Sequence, residues 1–162
     1  MPADHTEERV EQVEIVPFAK AHASAFRALN LAWIQVHWEP EATDFHMLDH
    51  PVDNIIRPGG FIAIALLGQQ AVGTCALIKL DDDHYELAKM AVTPAAKGYG
   101  IGRRLGNAVI DEARNRGAKL VSLDSNRVLT PAIKLYRSLG FQEIEGPVSV
   151  YARSNIHMEL RL

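Results

Sequence analysis

Cysteine occurs once in the 162 residues, at Cys75, so the chain forms no internal disulfide and no multi-cysteine metal site. A lone thiol suits a reducing compartment, and the cytoplasm is the expected location. Long apolar runs are missing too. The longest, FIAIALL at 61–67, is far short of the ~20 residues a membrane-spanning helix needs. The opening MPADHTEERVEQ is polar and acidic, the opposite of a signal peptide, so no membrane association is expected. Neither sign of charge dominates. Seventeen Lys and Arg stand against 20 Asp and Glu, and without a basic stripe the chain is not expected to bind nucleic acid. Several motifs are absent as well. No Gly-Lys pair occurs, which removes a P-loop, and there is no G-x-S-x-G nucleophile elbow and no H-E-x-x-H zinc pair. No metal is expected. His46 and His50 in HMLDH read as a solvated helix face, and Asp81–Asp83 as an exposed turn without EF-hand spacing. Cys75, inside an apolar strand pattern, reads as core.

A composition that is 48% hydrophobic and 23% charged, free of repeats and low-complexity tracts, belongs to an ordinary globular chain. Residues 1–8 are expected to be disordered and 9–162 to form a single domain. Alternation predicts strands over 11–16, 61–67, 72–80, 85–92, 118–123, 141–144 and 155–160. Helical spacing predicts helices over 19–36, around 44–48, over 101–116 and over 131–139, with Gly117 and Gly140 as stops. In the first helix Phe26, Leu29, Trp33 and Val36 form the apolar stripe. Three strands joined by short polar turns make an antiparallel meander, and a strand-helix-strand crossover follows. The expected fold is α/β of the α+β type: a mixed, mainly antiparallel sheet of six to seven strands with helices on both faces.

The sharpest local feature is VTPAAKGYGIGRRLG at 92–106, where Gly98, Gly100 and Gly102 alternate as a strand hands over to a helix. Glycines there permit a tight turn and close approach of a ligand to the main chain. The free N–H groups of the helix start favour a phosphate, and Lys97, Arg103 and Arg104 add cations. A plain helix start would need fewer glycines. A dinucleotide fingerprint needs G-x-G-x-x-G, but Gly106 follows Gly102 one residue too late; Asp124 would then imitate the ribose-binding acid.

KGYGIG at 97–102 resembles the [Q/R]-x-x-G-x-[G/A] signature of the GCN5-related N-acetyltransferases, with Lys97 where Gln or Arg is usual. ELAKMAVTP before it and NRVLTPAIKLYRSLGF at 126–141 after it match that family's flanking segments. The resemblance implies the acyl-CoA N-acyltransferase fold. It also implies transfer of acetyl from acetyl-CoA to a primary amine of a small molecule or peptide, by direct transfer in a ternary complex, and it admits a homodimer. It assigns cofactor binding to Met90, Ala91 and Val92 on a bulged strand and to Lys97, Gly98, Tyr99, Gly100, Ile101, Gly102 and Arg103 in the turn. Asn126 would be a further cofactor contact. Tyr136 is implied as the acid for the departing thiolate, and Glu86 as the base, acting directly or through water. Trp33, Trp38, Glu39, Tyr151, Arg153 and Asn155 are candidates for the acceptor side, with Glu39 holding an ammonium or Arg153 a carboxylate. A Rossmann-like nucleotide enzyme and a non-catalytic acyl-CoA-binding module of the same fold remain the alternatives.

Overall fold

The computed structural model describes residues 12–146 and 149–162; the expectation for residues 1–8 lies outside them. Seven strands form one sheet: β1 (Val13–Pro17), β2 (Phe61–Leu67), β3 (Gln70–Lys79), β4 (His84–Val92), β5 (Leu120–Ser125), β6 (Gln142–Glu143) and β7 (Ile156–Arg161). Their order is β1-β2-β3-β4-β5-β7-β6, and only β4 and β5 run parallel. Among the described residues four α-helices accompany them: α1 (Ala23–Ile34), α2 (Ala42–Asp49), α3 (Ile101–Asn115) and α4 (Thr130–Leu139).

The run FIAIALL shows why the sheet carries helices on both faces. In a strand, successive side chains point to opposite sides. Ile62 and Ile64 enter one core with Phe26 of α1 and Leu48 of α2. Ala63 and Ala65 enter the other with Leu105 and Val109 of α3. The larger residues thus meet α1 and α2, and the alanines leave room for α3. Pro17 closes β1, and a proline is tolerated there because β1 is an edge strand.

The first helix departs from its expected extent. Residues 19–36 divide into a short 3-10 turn, Lys20–His22, and α1, which stops at Ile34. The buried positions are Phe26, Asn30 and Ile34, whereas Val36 lies beyond the helix and is 68% exposed. Counting apolar residues misses Asn30, whose Nδ2 donates to the Phe26 carbonyl at 2.9 Å and so enters the core satisfied. The other elements sit within a few residues of expectation, and Gly140 caps α4 in the left-handed region at φ 106°.

Gly60, just before β2, is demanded by space. A Cβ there would lie 2.4 Å from the Leu77 carbonyl oxygen and 2.5 Å from that of Ile55. Both are backbone atoms and cannot swing aside. Gly60→Ala is therefore expected to cost about 1–3 kcal/mol of stability, read as a lower midpoint in urea unfolding.

Candidate active site

The parallel pairing of β4 with β5 is short: His84, Tyr85 and Glu86 lie opposite Leu120, Val121 and Ser122, and beyond them the strands separate. On its other side β4 carries one extra residue. Thr74 faces Ala91 while Ala76 faces Ala88, so two steps on β3 span three on β4. Lys89 sits in this bulge at φ 52°, the only described non-glycine residue with a positive φ. A bulge re-aims the following side chains and sharpens local twist. The main chain of β4 from Leu87 onward is left without a partner strand on the β5 side, which gives an extended ligand something to pair with.

The opening holds two adjoining clefts. The first runs along Met90, Ala91 and Val92 to Lys97, Gly98, Gly100, Ile101, Gly102 and Arg103, and is closed on its far side by α4. Gly98 and Gly100 adopt φ of 91° and 71°, and a Cβ at either would meet nothing within 4 Å. These two glycines thus serve the left-handed turn and leave space above it. Gly100 caps α3, so the N–H groups of the helix's first turn stay free, with the positive end of the helix behind them. That donor set suits a phosphate, so the cradle fits the pyrophosphate of a CoA thioester.

Not every residue expected at the turn faces this cleft. Tyr99 packs against the core. Arg104 reaches across to the Val13 carbonyl at 2.8 Å, whereas Arg103 stays at the cleft and its guanidinium donates to Ser138 Oγ at 2.7 Å. Gly106, the residue that spoiled the dinucleotide spacing, packs against the side chain of Leu139, where α3 meets α4.

The second cleft lies on the β5 side of the opening and is lined by Trp33, Trp38, Glu86, Asp124, Asn126, Tyr151 and Arg153, among others. Tyr136 and Met90 border both clefts. Tyr136 is buried in the core edge-on to Phe141, and its hydroxyl has no hydrogen-bond partner among the described residues. Burial, with Cys75 adding to it, pushes the phenol upward from its ordinary value, so it stays protonated. Glu86 likewise finds no hydrogen-bond partner among the described residues. Burial and the charge of Asp124 raise its carboxyl to about 7, against the weaker opposing pull of Lys89 and His157. A carboxyl poised there changes protonation in the neutral range, as a general base requires.

Asn126 borders the second cleft rather than the first. Its Nδ2 donates to the Arg153 carbonyl at 2.7 Å and its Oδ1 accepts from Val128 N–H at 2.9 Å, which ties the end of β5 to the loop before β7. Glu39 and Asn155 are exposed. Cys75 is fully buried, and burial pushes its thiol up, so it is core and no nucleophile.

Sequence reasoning missed a buried ionic cluster behind this cleft. Asp44 of α2 is wholly buried and accepts from Lys89 Nζ at 2.6 Å, from Arg153 at 2.7 and 2.8 Å, and from Glu41 N–H at 2.8 Å. Glu41 takes a further bond from Arg153 at 3.0 Å. Lys89 Nζ also donates to the Tyr151 hydroxyl at 3.0 Å. Lys89 and Arg153 both lie over the Tyr151 ring, 4.5 and 4.6 Å from its centre. Three segments distant in sequence, namely α2, the β4 bulge and the loop before β7, are thereby fastened around the second cleft. A signal existed: a lysine amid ELAKMAV needs a buried anion, though nothing local says which one. Arg153, expected to hold a carboxylate, is instead occupied by Asp44 and Glu41.

The sequence matches the model of the acetyltransferase (GNAT) family over residues 25–141. The chain belongs to that family. Acetyl-CoA-dependent N-acetyl transfer is the activity that membership gives it. An IAA acetyltransferase from Azospirillum brasilense is 33% identical over 108 residues, spanning 65% of this chain and 68% of the relative. An uncharacterized N-acetyltransferase, YjgM of Escherichia coli, is 36% identical over 73 residues, and there the match spans only 44% of the relative. Among solved structures, a GNAT acetyltransferase from Staphylococcus aureus superposes with a TM-score of 0.84 at 22% identity, over 92% of this chain and 98% of that one. The GNAT fold accounts for the antiparallel sheet and removes the Rossmann-like alternative. Among the described residues, no helix is long and apolar enough to cross a membrane.

Proposed function

We propose that this GNAT acetyltransferase transfers the acetyl group directly to a primary amine in a ternary complex, with Glu86 as general base and Tyr136 as general acid. The observation that carries the reading is Tyr136, unpartnered and protonated, at the junction of the glycine-turn cleft and the acceptor cleft. Acetyl-CoA supplies an activated thioester. The free N–H groups of Ile101, Gly102 and Arg103, with Lys97 nearby, would hold the pyrophosphate, and the unpaired stretch of β4 at Met90, Ala91 and Val92 would hold the extended pantetheine arm. Glu86 takes the proton that the amine must lose before it attacks. Tyr136 gives a proton to the sulfur as the C–S bond breaks, so amide and free thiol form with protons balanced. The buried, protonated Cys75 offers no covalent route, which favours direct transfer. Acetyl-CoA use and the single reduced thiol suit a cytoplasmic enzyme.

Calorimetric titration with acetyl-CoA, NAD serving as control, tests the reading. Micromolar acetyl-CoA binding is expected. Gly100→Asp, which puts a side chain and a negative charge at a left-handed position facing the phosphates, is expected to weaken it at least about tenfold. Tyr136→Phe is expected to bind the cofactor normally yet lose about 10²–10⁴-fold in turnover. Undiminished turnover, with chemistry rate-limiting, would remove Tyr136 from the mechanism. A folded protein that ignores acetyl-CoA would remove the reading altogether.

A further inference from the structure

The acceptor cleft holds two carboxylates, Glu86 and Asp124, that no lysine or arginine among the described residues pairs with. Its two basic side chains, Lys89 and Arg153, are held by Asp44 and Glu41, a group of four whose charges cancel. What remains on the wall is negative. Glu86 has no partner. Asp124 accepts from His157 Nδ1 through Oδ1 at 2.9 Å, leaving Oδ2 without a partner among the described residues. His157 is in turn shared with Glu159, at 2.9 Å from its Nε2, so it does not neutralise Asp124 fully. An acceptor bearing a carboxylate would find no free basic side chain among the described residues, and would be repelled by Asp124 and by Glu86 in its base form. One bearing a second ammonium would find a vacant oxygen.

The spacing selects a length. Glu86 lies opposite Ser122 in the parallel pairing, and Asp124 is two residues further along β5 on the same face. Strand geometry puts their Cα atoms at least about 8 Å apart, because the strands part beyond the Glu86–Ser122 pair, and that is the scale of a short diamine with one nitrogen beside each carboxylate. Trp33 and Trp38, with ring centres 6.3 Å apart, flank the same cleft and offer apolar surface to methylene groups and ring faces to a cation.

Resting on the transfer reading above, we propose that the acceptor is a short diamine. One nitrogen reacts beside Glu86, and the other, as an ammonium, is held by Asp124.

The test compares 1,4-diaminobutane, butylamine and 4-aminobutyrate, matched in length, on the enzyme and its Asp124→Asn variant. The expected kcat/KM for the diamine exceeds that for butylamine by about tenfold, the worth of one added ion pair. It exceeds that for 4-aminobutyrate by about a hundredfold, because the carboxylate is also repelled. In Asp124→Asn the ratio of diamine to butylamine falls toward one. Because that ratio compares two substrates on one protein, a general loss of folded enzyme does not move it. The proposal is overturned if 4-aminobutyrate equals the diamine, if the ratio survives Asp124→Asn, or if none of the three is acetylated by enzyme that binds acetyl-CoA. The transfer reading itself fails only with the binding titration or with the absence of any amine acceptor, so the two failures are distinct.

Discussion

Replacing Asp44 with alanine is expected to lower the unfolding free energy by about 3–5 kcal/mol, the usual cost of removing one partner from a buried ion pair. The large value follows from what is left behind. Arg153, 12% exposed, would be left with Glu41 alone, and Lys89, 4% exposed, would be left buried without the anion that pairs it. Urea unfolding of the variant measures it; a loss under about 1 kcal/mol would mean that water already reaches the cluster. The pH dependence follows from the same contacts. Burial pulls the Asp44 carboxyl up, but hydrogen bonds from Arg153, Lys89 and the Glu41 N–H outweigh it and hold the group at about 2, below its ordinary 3.8. The folded chain therefore binds this proton less tightly than the unfolded chain. The stabilisation is complete above about pH 3.8 and fades as the pH falls through about 2. Burial acts on Lys89 in the opposite direction from its action on Asp44: it lowers the pKa from the ordinary lysine value, and Asp44 offsets this only in part.

The second large effect concerns Glu86. The kcat/KM for the amine, corrected for the fraction of amine present as free base, is expected to rise about tenfold per pH unit below pH 7 and to level off above it, as a base held at about 7 loses its proton. Glu86→Gln is expected to lower kcat by about 10²–10⁴-fold and to abolish that rise. If the rise persists in the variant, the base is another group. Stability supplies an independent reading with the reverse sign. A folded pKa raised above the ordinary 4.5 means that the folded chain binds this proton more tightly, so Glu86 costs stability as the pH climbs from 4.5 through about 7. At about pH 8 the inactive Gln variant should thus be the more stable protein, by about 1–3 kcal/mol. A substitution that weakens catalysis while strengthening the fold separates a functional carboxylate from a structural one.

The two effects meet in the acceptor cleft. Lys89 belongs to the Asp44 cluster, and its charge also pulls the Glu86 carboxyl down from where burial and Asp124 would leave it. The bulge that turns Lys89 toward Asp44 is the same irregularity that brings Met90 to the junction of the clefts. A left-handed conformation at a lysine costs energy that the surrounding contacts must offset. The ion pair and the Tyr151 hydroxyl are the contacts available to do so.

Local pattern alone determined the meander, the strand-to-helix glycine turn, the stops at Gly117 and Gly140, and the placing of Tyr136 and Glu86 in a family motif. Each rests on near neighbours in the chain: alternation for strands, 3.6-residue spacing for helices, and backbone freedom at glycine. The tertiary structure alone decided which polar groups are buried and whom they meet. Asn30 joins the core because its own helix satisfies it, and Arg104 leaves the phosphate turn because the Val13 carbonyl lies within reach. Asp44 and Lys89 are 45 positions apart, and Asp44 and Arg153 are 109 apart. No periodicity spans such distances. The Coulomb energy of a buried pair depends on separation and on the exclusion of water, and both exist only once the sheet and its helices have assembled. For that reason the sequence made the reaction class legible while leaving the charge of the second cleft unread.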